Sequence, residues 1–112
     1  MREIKMDITD RIERMEAIED RLGISLESFY ATFRNDEDGG RITVNFDVLS
    51  PNGTLDQDLM ITISVYNEKR QLIGTDQAWI SADDFMGIQS CSEVMYDIDT
   101  QPSLIRVIPK KS

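Results

Sequence analysis

Two neighbouring stretches of the sequence decide its fold: ITVNFDV over residues 42–48 and LMITISV over residues 59–65. In both stretches apolar and polar side chains alternate with a period of two, which is the pattern of a half-buried β-strand. The first stretch places its apolar residues on one face, at Ile42, Val44, Phe46 and Val48. The pattern therefore predicts a mainly β protein in which each strand turns one side to the core.

Weaker strand signals surround these two stretches, over residues 25–33, 71–80, 88–92, 94–98 and 104–108. Residues 25–33 fit a helical spacing as well as an extended one. We interpret them as a strand because the run FYATF is rich in β-forming residues and the turn-forming run NDEDGG follows it before Ile42. Several short strands separated by turns predict an antiparallel sandwich.

An amphipathic helix is predicted over residues 7–22, ahead of the strands. Its apolar positions recur every three or four residues, at Ile8, Ile12, Met15, Ile18 and Leu22. A helix of this length is marginal by itself, so the stripe must pack either on the chain's own sandwich or on a second copy. We therefore predict an N-terminal helix over residues 1–24 and a sandwich domain over residues 25–112, with the stripe as a hypothetical protein interface.

The chain has 112 residues and a net charge of −9, and its acidity is uneven. Residues 41–101 carry 10 acids and 3 bases, whereas residues 102–112 carry 3 bases and no acid. An acidic surface repels phosphate groups, so direct binding to nucleic acid is disfavoured. The acidity fits three interpretations: solubility, a basic partner, or imitation of nucleic acid by an inhibitor.

The sequence contains no histidine and a single cysteine, Cys91. These absences remove the commonest general acid and base, the usual nucleophile systems that depend on histidine, and most transition-metal ligand sets. The acidic run at residues 36–38 does not supply the ligand spacing of a calcium loop. We therefore expect no enzyme activity, no cofactor and no metal, with Cys91 as a small, partly buried side chain.

No apolar run is long enough to cross a bilayer, and charged residues occur throughout the first ten positions. We expect no membrane association, and a cytoplasmic location if Met1 is the native start.

One segment resembles a known family of modules. The run LMITISVYN over residues 59–67, followed by LIGT over residues 72–75, is similar to the bacterial immunoglobulin-like modules of the FxLYD type. In those modules a strand ending in an aliphatic-Tyr-Asp triplet turns into an aliphatic-Ile-Gly strand, and Val65-Tyr66-Asn67 takes the place of the triplet here. The resemblance implies a β-sandwich binding module without catalytic residues.

The sequence as a whole predicts an immunoglobulin-like antiparallel β-sandwich of about seven strands with an N-terminal amphipathic helix. The expected function is a non-enzymatic protein-interaction or oligomerisation module that binds a protein partner or forms a homodimer. Its binding surface is either the helix stripe or an exposed sheet edge that accepts an added strand. The alternative is an acidic, nucleic-acid-mimicking inhibitor of a basic nucleic-acid-binding protein. Trp79 is expected in the core or at the rim of the sandwich.

Overall fold

The computed structural model describes residues 3–112, which form two packed β-sheets and one short helix. The elements run in the order β1 (Ile4–Asp7), β2 (Ile12–Arg14), α1 (Glu16–Leu22), β3 (Ser25–Asp36), β4 (Gly39–Leu49), β5 (Leu59–Tyr66), β6 (Leu72–Ile80), β7 (Ile88–Tyr96) and β8 (Leu104–Lys111). A single 3₁₀ turn, Thr9–Arg11, separates β1 from β2. The prediction of a mainly β fold is confirmed.

Each sheet has four strands, in the orders β1-β3-β4-β7 and β2-β8-β5-β6. The strand pairs within the described residues are antiparallel, except that β2 runs parallel to β8. The two stretches with the clearest alternation lie in β4 and β5, and each of these strands has a neighbouring strand on both sides. Their periodicity is clear because a central strand has one face fully in the core along its whole length.

The core lies between the inner faces of the two sheets. The alternating residues of β4 predicted to face inward are buried, and they oppose the buried set Ile61, Ile63 and Val65 of β5. Full burial of one aliphatic side chain of this size contributes about 1.5–3 kcal/mol. The central strands therefore supply much of the hydrophobic stabilisation.

The predicted helix over residues 7–22 is wrong for most of its length. Only Glu16–Leu22 is helical, whereas the residues before it form β1, the 3₁₀ turn and β2. The N-terminal segment thus enters both sheets and belongs to the sandwich. Asp7, expected to cap the long helix, instead accepts a hydrogen bond from the amide of Thr9 (2.9 Å) at the start of the 3₁₀ turn.

Burial of Ile8 explains why this segment forms strands and not the predicted helix. Ile8 is fully buried where the chain switches sheets, and its amide donates to the carbonyl of Ala31 (2.8 Å). The hydroxyl of Thr9 accepts from the amide of Ala31 (3.0 Å). Pairing with a neighbouring strand satisfies these backbone groups and places Ile8 between the sheets. Such tertiary contacts outweigh the weak intrinsic preference of a short helix.

The remaining strand predictions have mixed outcomes. The ambiguous residues 25–33 lie within β3, so the strand interpretation is confirmed, and β3 joins β4 through a tight hairpin. Residues 88–92 and 94–98, predicted as two strands, are mainly one continuous strand, β7. The predicted bulge near Gly74 is confirmed, because the register between β5 and β6 shifts at this point.

Ile98 closes one end of the core through two close approaches to glycine. It is buried, and its amide donates to the carbonyl of Gly40 (3.1 Å). A Cβ built on Gly40 would lie 1.7 Å from the Ile98 carbonyl oxygen, and a Cβ on Gly74 would lie 2.8 Å from Ile98 Cδ1. Position 40 therefore needs glycine, because a Cβ there would meet backbone atoms, whereas a Cβ at position 74 would meet only the end of a side chain within 3 Å.

Candidate functional site: the open edges of β6 and β7

The two long sheet edges lie at the same side of the sandwich. Strands β6 and β7 each have nine residues and end their sheets, while the opposite edges, β1 and β2, have four and three residues. No strand among residues 3–112 pairs with the outer side of β6 or β7. A long unpaired edge presents a row of backbone donors and acceptors to another chain.

Most of the exposed large apolar side chains of residues 3–112 lie on β6, on β7 or on the loop between them. Six of the eight are in this region: Leu72, Trp79, Met86, Ile88, Val94 and Tyr96. Trp79 is 60% exposed and Tyr96 is 69% exposed, so both rings are accessible to a partner. The expectation of a core position for Trp79 is thereby wrong, and its place at the rim is confirmed.

The backbone groups that β7 leaves open follow from its register with β4. Leu49 lies opposite Ile88, and one step further the amide of Ser50 donates to the carbonyl of Gly87 (3.0 Å). In an antiparallel ladder, opposed pairs alternate between bonded and non-bonded. The odd-numbered residues of β7 therefore bond to β4. The even-numbered residues direct their N–H and C=O groups to the open edge, and their side chains are exposed: Ile88, Ser90, Ser92, Val94 and Tyr96.

A groove of about 280 Å³ separates the first half of β6 from the last half of β7. Residues 73–76 form one wall and residues 94–96 the other, and Ile98 completes the lining. Met95 and Ile98 line the groove but are themselves buried, so its accessible surface is mainly polar. The groove therefore offers polar groups next to unpaired backbone.

Two carboxylates point inward between the open edges. Asp76 lies opposite the buried Ile63, and Glu93 lies opposite the buried Val44. Burial raises the pKa of Glu93, and the nearby negative charge of Asp76 raises that pKa further. Neither carboxylate has a basic partner among residues 3–112. Inward-pointing charges of this kind discourage pairing with any strand that brings no counter-charge.

The sequence that builds this side of the molecule carries charge of one sign only. Residues 71–101 contain six acids and no lysine or arginine. Apart from Asp76 and Glu93, these acids are exposed in the β6–β7 loop or after β7. This side therefore combines apolar side chains, open backbone and negative charge.

The residues of the predicted helix stripe do not form one surface. Ile8 is fully buried in the core, so it is closed to any partner. Ile12 and Leu22 are half-buried and pack against the core. Met15, just before α1, and Ile18, within α1, are also half-buried. A protein interface through the four half-buried residues of the stripe stays a prediction.

Glu19 is a buried charged residue that sequence reasoning missed. It is 1% exposed, and its Oε1 accepts from the amide of Leu26 (2.9 Å) and from Arg14 Nη2 (2.5 Å). Arg14 Nε donates to Oε2 (3.3 Å), and this carboxylate raises the pKa of Arg14. The Glu19 carboxylate thus joins α1 to β3, and its role is structural. The only indication in the sequence is an arginine five residues before the glutamate.

Cys91 is buried on β7, as predicted, and burial raises the pKa of its thiol to about 11. The acids of residues 3–112 form no group of three or more with a cysteine or another acid that is placed to hold a metal ion. With a pKa of about 11, the Cys91 thiol is protonated at neutral pH, and a protonated thiol is a poor nucleophile.

The exposed residues Ile88, Val94 and Tyr96 were also missed as functional candidates. Along β7 both faces mix apolar and polar residues, so the period-two pattern does not separate the inner side from the outer side. The signal that the sequence did offer was the absence of any base over residues 71–101.

The helix of the described chain is too short to cross a bilayer. Comparisons with protein-family models, with curated proteins and with solved structures gave no match.

Proposed function

We propose that this chain is a non-enzymatic protein-interaction module that binds an extended segment along the open edge of β7. The observation that carries the proposal is the coincidence, on one strand, of five outward-directed backbone positions with the exposed side chains of Ile88, Val94 and Tyr96. An added strand bonds to such an edge through its main chain, and neighbouring side chains supply the specificity. Aromatic residues are enriched among the energetically dominant residues of interfaces.

The proposed absence of catalysis rests on the chemistry of the side chains. The sequence has no histidine, and the thiol of Cys91 is buried and protonated. The carboxylate pair, Asp76 and Glu93, has no histidine, lysine or arginine beside it in sequence, because residues 71–101 contain none. These features favour recognition over reaction.

The immunoglobulin-like and FxLYD-type assignments belong to this proposal. In their favour, residues 3–112 form two packed, mainly antiparallel sheets of four strands each. The tight β3–β4 hairpin within one sheet is different from the immunoglobulin order, in which the second and third strands lie in opposite sheets. We therefore propose a binding sandwich of the same general kind with its own strand connections.

A peptide selection with two variants at one position tests the proposed function. Ser92→Pro removes an amide that faces the open edge, where proline is tolerated, whereas Ser92→Ala keeps that amide and removes only the hydroxyl. A library of displayed peptides is selected on the wild-type protein, and the winners are measured against both variants. We expect Ser92→Ala to bind the peptides with wild-type affinity. Ser92→Pro should bind them at least about tenfold more weakly.

Equal thermal unfolding of the two variants establishes that both are folded. Selected peptides that bind Ser92→Pro and wild type equally would refute docking at this edge.

The acidic, nucleic-acid-mimicking inhibitor is a second candidate, favoured by the six acids and the absence of bases over residues 71–101. Mimicry depends on surface charge, so it predicts binding that survives Ser92→Pro and is lost at high ionic strength. Docking on the edge predicts the opposite response to Ser92→Pro. One pair of variants thus separates the two functions.

A further inference from the structure

We infer that the occupant of the β7 edge is an extended segment of another protein in which basic residues alternate with apolar ones. This inference rests on the proposed function and names the chemistry of the partner. It follows from the different character of the two sides that an added strand would meet.

The outer side of an added strand meets an apolar surface. Side chains on successive residues of a strand point to opposite faces of its sheet. Every second side chain of the added strand therefore lies beside the outward-facing residues of β7, among them Ile88, Val94 and Tyr96. These partner positions favour apolar residues, because the contact removes exposed apolar area from water.

The inner side of an added strand meets the carboxylates. The other half of the partner's side chains point toward the gap between β7 and β6, where Asp76 and Glu93 face inward without a basic neighbour among residues 3–112. Lysine and arginine have long stems that can enter this gap while the charged head reaches a carboxylate, and Asp76 is among the residues that line the groove. A basic residue supplies the missing counter-charge.

The surrounding charge favours the same partner. Six acids and no base occur over residues 71–101, and the nearest arginine across the sheet, Arg41 opposite Tyr96, is already paired with Asp36 (3.3 Å). This excess of negative charge attracts a basic segment and speeds its association. A second copy of the chain would instead bring a second set of the same six acids to the edge, so charge opposes self-pairing through β7.

The test uses three synthetic nine-residue peptides that share valine at alternate positions and carry lysine, threonine or glutamate between the valines. Their affinities are measured by fluorescence anisotropy at low and high salt. We expect the lysine peptide to bind about tenfold more tightly than the threonine peptide at low salt, and the glutamate peptide to bind most weakly. Raised ionic strength should narrow these differences.

Matched variants locate the charge effect. Asp76→Asn combined with Glu93→Gln should bring the lysine peptide down to the affinity of the threonine peptide and leave the threonine peptide unchanged. The control, Asp83→Asn with Asp84→Asn, removes two acids from the exposed β6–β7 loop and should change the affinity for the lysine peptide by less than about threefold.

The possible failures are distinguishable. Equal affinities for the lysine and threonine peptides, both lost in Ser92→Pro, would overturn the basic partner and keep the proposed function. Absence of binding by all three peptides would count against the proposed function as well. A dimer that becomes a monomer in Ser92→Pro would overturn the inference in favour of a second copy at the edge.

Discussion

Substitution of Gly40 by alanine tests how the core is closed beside the candidate site. The new Cβ would lie 1.7 Å from the carbonyl oxygen of Ile98 and 2.6 Å from its carbonyl carbon. Both are backbone atoms, so rotation of a side chain cannot relieve the clash. The segment after β7 must move away from β4, and Ile98 must leave the core with it.

The structure gives the expected cost in two parts. Moving the segment breaks the hydrogen bond from the Ile98 amide to the Gly40 carbonyl, worth about 1 kcal/mol net. Withdrawing the buried Ile98 side chain costs about as much as truncating a buried isoleucine to alanine, roughly 2–5 kcal/mol. We therefore expect Gly40→Ala to lower the free energy of unfolding by about 3–6 kcal/mol.

Urea denaturation followed by tryptophan fluorescence measures this loss, with Gly74→Ala as the matched comparison. The Cβ of Gly74→Ala meets only Cδ1, the far end of the Ile98 side chain, at 2.8 Å. That end can rotate, so this variant should lose only about 1 kcal/mol. Ile98→Ala should reduce the cost of Gly40→Ala when the two are combined, because the shared side chain is lost only once. A Gly40→Ala protein as stable as Gly74→Ala would refute the reasoning.

Three further predictions concern ionisable and buried groups. Glu19→Gln should lower the free energy of unfolding by about 2 kcal/mol in urea denaturation, because the half-buried guanidinium of Arg14 then keeps only the more distant carboxylate of Glu16 (3.9 Å). An unchanged denaturation midpoint would show that the pair is not needed. Burial and Asp76 raise the pKa of Glu93 in the folded state, so its contribution to stability is full below the ordinary carboxyl pKa and is lost as the pH rises through the folded value. Glu93→Gln should therefore be more stable than the wild type near pH 7 and equal to it near pH 4. Thermal unfolding at both pH values measures this, and equal melting temperatures near pH 7 would contradict the prediction. The thiol of Cys91, whose pKa is about 11, should react with iodoacetamide slowly near pH 8 in the folded protein; mass spectrometry showing labelling as fast as in urea would contradict its burial.

The sequence was informative wherever one face of an element is wholly buried. Strands β4 and β5 have neighbours on both sides, so their inward residues are uniformly apolar and the period of two is clean. The N-terminal segment misled because its apolar residues happen to recur at helical spacing. Ile8 is buried by a change of sheet, and such a change depends on the distant strand β3, which local periodicity does not report.

The candidate site depends on strand order, which a single sequence does not contain. Alternation predicts which face of a strand is buried, but it does not predict which strand ends a sheet. The open edges of β6 and β7 exist because β4 and β5 occupy the centres of the two sheets, an outcome of long-range pairing. The inward carboxylates Asp76 and Glu93 further obscured the pattern, since they place charge where a core residue is expected.

Amide hydrogen exchange along β7 tests the central claim most directly, because it reads the open edge one residue at a time. In the free protein we expect fast exchange at Ser90, Ser92 and Val94 and slow exchange at Cys91 and Glu93, whose amides bond to β4. Addition of the lysine–valine peptide should slow exchange at the three fast positions. Slow exchange there in the free monomer, or fast exchange that persists at saturating peptide, would contradict docking of a strand on β7.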